Sequence, residues 1–155
     1  MLLRLMMLGA LAVSGVGASS AQTPAEFEAQ ARLAYSAVTC EKYAEMASLN
    51  ESTGDSGRLF TVGYRALQAV FQARHRGASM GKDAGEKEPH WIILQIMLGP
   101  TAEFDVGRVH ETISDFAWTK IADGVPGGVT PDNFIKTKAV AQRLYRDANC
   151  DFVGR

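Results

Sequence analysis

Cysteine is almost absent from this chain: two occur in 155 residues, Cys40 and Cys150, far apart. That scarcity excludes a Cys-x-x-Cys redox pair and a thiolate-framed metal centre, which needs more soft ligands than two. Charge of one sign is also missing, with 16 Lys and Arg against 17 Asp and Glu. A nucleic-acid or anionic-lipid binder needs a strongly basic face, and this balance supplies none. Histidine is sparse, with three residues in separate segments (His75, His90, His110), and no long apolar run follows the first 21 residues.

Several motifs are present only as fragments. "GASMGK" (77–82) has three residues between Gly77 and Gly81-Lys82 where a phosphate loop needs four, and Asp83 stands where Ser or Thr would bind magnesium. "HETIS" begins like a zinc-protease helix at His110-Glu111, but Ser114 occupies the place of the second histidine. There is no Cys-x-x-Cys-His for covalent haem. Glu111 and Asp115, four residues apart, read as a solvated acidic face. These readings leave no assembled catalytic constellation, no cofactor and no metal, and the sequence predicts a non-enzymatic protein.

What is present begins with "MLLRLMMLGALAVSGVGASSAQTP". Arg4 is a short positive region, Leu5 to Val13 carries no charge, and Ser19-Ser20-Ala21 fits the small-x-small rule. This is the pattern of a secretory signal peptide over 1–21, too short to span a bilayer. The expected mature chain, 22–155, is one domain in the periplasm or outside the cell, with no membrane insertion. Cleavage removes Arg4 and no acid, so 16 basic and 17 acidic residues become 15 and 17, a formal charge of −2. With every carboxylate protonated and all three histidines charged, that charge rises to about +18. Export to an oxidising compartment predicts that the two cysteines pair, as Cys40–Cys150.

The remaining punctuation is helical, and the expected fold is an all-α bundle of five or six helices closed by that disulfide. Thr23, Pro24 and Glu26 form a capping box with proline at the first helical position. Phe27, Ala31, Ala34 and Val38 recur behind it at helical spacing. Thr39 either re-caps a second short helix carrying Tyr43, Met46 and Leu49 or is passed through by the first. A helix over roughly 57–75 has two apolar rows: Leu59, Val62, Ala66, Val70, Ala73 and Phe60, Tyr64, Leu67, Phe71. Arg58, Thr61, Arg65, Gln68 and Gln72 form a polar strip between them. So wide an apolar surface marks a central helix, and the competing reading is an exposed partner-binding face built on Phe60, Tyr64 and Phe71.

"PHWIILQIMLGP" (89–100), bracketed by prolines, predicts a short buried helix. A long helix capped by Thr101 follows, with Glu103 and Asp105 near its positive end. Its expected core stripe is Val106, Val109, Ile113, Phe116 and Ala117, and Gly124 stops it. Thr130 and Pro131 open the last helix, carrying Phe134, Ala141, Leu144, Tyr145 and Ala148, with Asn149 at its end.

"VTCEKYAEMA" (38–47) resembles the first cysteine region of the HdeA/HdeB acid-stress chaperones, an exported all-α family with one disulfide. That resemblance implies a protein that holds unfolding clients when acid loosens its own packing. "VGYRALQAV" (62–70) and "GVPGGVTPDNF" (124–134) are similar to periplasmic immunity proteins of the Rap1a/Tai type, implying inhibition of a delivered toxin. Both imply a protein partner and no cofactor. A ligand binder or enzyme with an unrecognised site is the remaining reading, with Tyr64, Arg65, His75 and His110 as its first candidates.

Overall fold

The computed structural model describes residues 23–49, 54–78 and 89–155, and Leu94 by its backbone alone. The expected signal segment, Asn50 and the residues from Ser79 to Glu88 lie outside these. Five helices and no strand occur among the described residues, so the chain is an all-α bundle.

Helix α1, Pro24–Met46, starts with the expected capping box. The Glu26 amide donates to Thr23 Oγ1 at 3.3 Å, and Glu26 Oε2 accepts from the Thr23 amide at 2.8 Å. It runs unbroken through Thr39, which is buried, so no second cap forms there. Helix α2, Asp55–His75, starts two residues before the expected Gly57 and packs antiparallel on α1. Phe27 near the start of α1 shares a core with Phe71 near the end of α2, while Tyr43 and Ala47 share one with Leu59. The approach is close because small residues line it. A β-carbon at Gly63 would stand 2.8 Å from Val38 Cγ2, which only glycine avoids without displacing Val38.

Helix α3, Trp91–Gln95, is the expected short helix but covers only five residues. Ile93 is buried, whereas the chain turns extended at Ile96 and leaves Met97 83% exposed. Arg74 of α2 explains the early stop. Its guanidinium donates to the Ile93 and Ile96 carbonyls at 3.0 and 2.9 Å, stabilising a non-helical exit.

Helix α4, Ala102–Asp123, lies against both α1 and α2. Ala102, Val106, Val109 and Ile113 enter the core around Phe27 and Phe71, and Ala117 and Ile121 enter the core around the disulfide. At 3.6 residues per turn this buried stripe winds steadily around the helix. Phe116, expected in the core, is left on its far edge and is 46% exposed. The cap is the expected one, with the Phe104 amide donating to Thr101 Oγ1 at 3.2 Å. Thr101→Ala is therefore expected to lose about 1 kcal/mol of stability. An unchanged urea midpoint would show that the bond contributes nothing net.

Thr130 opens a 3-10 turn at Pro131–Asn133, which leads into α5, Phe134–Asp147. Ala141 and Tyr145 are buried as expected and Thr137 joins them, but Phe134, at the start of the helix, is 55% exposed. Asn149, at φ 53°, turns the chain into a final 3-10 turn, Cys150–Phe152. Cys150 is bonded to Cys40 with both residues buried and their Cα atoms 5.4 Å apart, an ordinary disulfide span. Arg58 of α2 holds the same turn through the carbonyls of Cys150 and Val153. Gly154 fits against Val62 because a β-carbon there would stand 2.7 Å from it. Among the described residues no helix is long and apolar enough to cross a membrane.

Candidate functional site

Polar chemistry inside the bundle concentrates around Asp105, the fourth residue of α4, which is fully buried. Its Oδ2 lies 3.0 Å from His75 Nε2 of α2, and the Gly99 amide reaches both carboxylate oxygens at 2.9 and 3.1 Å. Arg108, one turn along, donates to Oδ1 at 2.9 Å and also reaches the Met97 carbonyl. Burial alone pushes the Asp105 carboxyl up. The His75 and Gly99 hydrogen bonds, with the Arg108 and His75 charges, outweigh it and hold the carboxyl below the ordinary aspartate range. Burial likewise draws the nearby Arg74 guanidinium downward, against the opposing pull of Asp105. A single carboxylate thus joins α2, α4 and the 89–101 segment.

A second cluster joins α1, α2 and α4. His110 Nε2 lies 2.8 Å from Glu41 Oε2, and the Phe60 ring meets the His110 ring edge-on at 5.7 Å. Phe60 also packs on Tyr64 at 5.7 Å between ring centroids. Phe60 and Tyr64 are 44% and 37% exposed, so two of the three residues of the expected aromatic face do reach the surface together, with His110 beside them. Phe71 does not. It is wholly buried against α1 and α4, with Arg74 over its ring, because the row turns into the core over the last two turns of α2. Arg65 is exposed.

The three histidines do not converge. His75 faces Asp105, His110 faces Glu41, and His90 lies 3.8 Å from Glu28 of α1. Among the described residues no group of three or more His, Cys, Asp or Glu side chains is arranged to hold a metal ion. What the histidines share is a carboxylate partner on another part of the fold. Glu111 and Asp115 are both exposed.

A third polar cluster sits beside the disulfide. Tyr145 is buried and its hydroxyl donates to Asp151 Oδ1 at 3.1 Å. Burial, then the charge of Asp55, then Asp151, push the phenol up to about 12, so it stays a donor at any physiological pH. Asp55 in turn pairs with Arg58 at 3.3 Å. Tyr145, Asp151 and Asp55 border a cleft of about 310 Å³, completed by Leu49, Gln142 and Arg146.

Two of these features escape a sequence reading for different reasons. Asp105 was expected only as a favourable charge at a helix start, yet with Ala102, Val106 and Val109 it occupies the buried stripe. A polar residue at an apolar position was the available signal. The Tyr145–Asp151 bond has no comparable signature. Gly77-Ala78-Ser79-Met80-Gly81 does spell Gly-x-Ser-x-Gly, but a nucleophile elbow joins a strand to a helix. Here the string follows the end of α2, and Ser79 lies outside the described residues. No family model, curated protein or solved structure matches the chain.

Proposed function

We propose that the mature chain is a non-enzymatic, exported protein-binding protein that acts as an acid-stress chaperone of the HdeA/HdeB kind. The observation that supports this reading is the wiring of the bundle. The contacts of Glu28 with His90, Glu41 with His110, and Asp105 with His75 all join separate parts of the fold through a carboxylate. At pH 2–3 imidazoles are cationic and most carboxylates are protonated. A fold joined through carboxylates is weakened by that change. Asp105 sets the sign: its folded value is depressed, so its contribution is present above the ordinary carboxylate range and lost as pH falls through that lower value. The disulfide does not titrate, and it keeps α1 tied to the C-terminal turn while the helices loosen.

The deciding experiment is light scattering of an acid-sensitive client at pH 2–3 with the oxidised mature protein present. Suppression well beyond that of an inert protein of the same size is expected, with none at pH 7. Suppression no better than the inert control removes the chaperone reading.

A second reading, an inhibitor of a delivered toxin, is favoured by one feature: Phe60 and Tyr64 are exposed in the native fold, and large aromatics anchor protein interfaces. It requires one stoichiometric partner captured from native extract at pH 7, lost on Phe60→Ser together with Tyr64→Ser. Capture of many proteins only after acidification returns the choice to the chaperone.

A further inference from the structure

Segment 89–101, carrying α3, lies across the end of the bundle where Phe27, Phe71 and Val106 meet. Its only fully buried hydrophobic side chain among the described ones is Ile93. Ile92 and Ile96 pack on the core only partly buried, and the other contacts that hold the segment are polar. Arg74 takes the carbonyls of Ile93 and Ile96, and Arg108 takes that of Met97. Asp105 takes the amide of Gly99, and Glu28 lies near His90.

We propose that residues 89–101 form a strap that acid releases as a unit, with Asp105 as its latch. Among the described residues the Asp105 carboxylate is the only anion that grips the far end of the strap. From α2, Arg74 and His75 face it; from its own helix, Arg108 does; the strap contributes the neutral Gly99 amide. At the near end the groups are His90 of the strap and Glu28 of α1, the latter also held by Arg32 at 2.6 Å. With its anion neutralised, the Asp105 cluster holds cations close together beneath the strap, and the Gly99 amide faces a weaker acceptor. The strap has one fully buried apolar anchor, Ile93, with Ile92 and Ile96 only partly buried, whereas α1 and α2 are joined along their length by buried side chains. The strap therefore opens first, lifting Ile93 and uncovering the apolar bundle end. This holds whether or not the protein is a chaperone.

Hydrogen exchange read by mass spectrometry on the oxidised mature protein tests it, with protection factors compared across pH. One depressed carboxyl links opening to one proton. Strap peptides should lose up to tenfold in protection for each pH unit below the ordinary aspartate range, until Asp105 itself titrates. Peptides of α1 and α2 should hold their protection over the same interval. Asp105→Asn, which keeps the shape but not the charge, should lower strap protection at pH 7 by at least tenfold and flatten its acid dependence. Loss of protection in the strap, α1 and α2 together overturns the proposal, as does an Asp105→Asn strap protected like the native one at pH 7. If that variant does not fold, the pH series of the native chain decides alone. Because the readout is exchange and not client turbidity, a failed strap and a failed chaperone reading are told apart.

Discussion

Phe71→Ala is expected to remove about 3–5 kcal/mol of stability, and Phe60→Ala less than about 1 kcal/mol. The two rings sit on one apolar row of α2, eleven residues apart by number, and a sequence reading gives them the same role. Phe71 is fully enclosed with Phe27, Val70 and Val106 around it, and the Arg74 guanidinium lies 5.5 Å from its centroid. Truncation there loses the transfer free energy of the ring and leaves a cavity that rigid helices refill poorly. Phe60 is 44% exposed and its loss opens no enclosed space. Total stabilities of domains this size are only about 5–15 kcal/mol, so Phe71→Ala should leave a measurable unfolded fraction in dilute urea. Urea titrations of the two variants decide it, and equal losses would contradict the burial assigned to α2.

Cys40→Ser and Cys150→Ser are each expected to lower stability by about 2–5 kcal/mol, and by the same amount as each other. The bond closes a loop of 111 residues, counting both ends of a sequence separation of 110. The chain-entropy estimate for that length is roughly 4–5 kcal/mol, an upper figure because a denatured chain retains structure. For a domain of this size the loss corresponds to a fall in Tm of roughly 10 °C. Thermal unfolding of the native chain with and without reductant should show the same shift, and the double serine variant should be no worse than either single one. Two free thiols found by non-reducing peptide mapping of the purified protein would overturn the assignment.

How far the fold could be read from the sequence depended on how far each signal had to reach. The starts of α1 and α4 were legible because a cap is made within four residues: Thr23 with Glu26, Thr101 with Phe104. The cysteine pairing was legible because two cysteines allow one bond. Phe116 was misplaced because the burial of α4 shifts toward α5 along its length, which α4 alone does not encode. The candidate site was least legible of all. His75 meets Asp105 across 30 residues and His110 meets Glu41 across 69, so neither pair has a spacing that could be recognised. Of the competing aromatic face, Phe60 and Tyr64 are exposed, while Phe71 is buried in the core that α4 joins, which the sequence of α2 alone does not encode.

The Cys40–Cys150 bond has a topological consequence. Everything between the two cysteines is a covalent ring, and the chain before Cys40 and after Cys150, the first part of α1 included, lies outside it. A single protease cut anywhere from residue 41 to 149 opens the ring without separating the pieces. Such a nick leaves the mass of the oxidised protein changed only by one added water, and fragments part on reduction. The molecule therefore survives a first cleavage as one covalent entity, with α1 still fastened to the C-terminal turn.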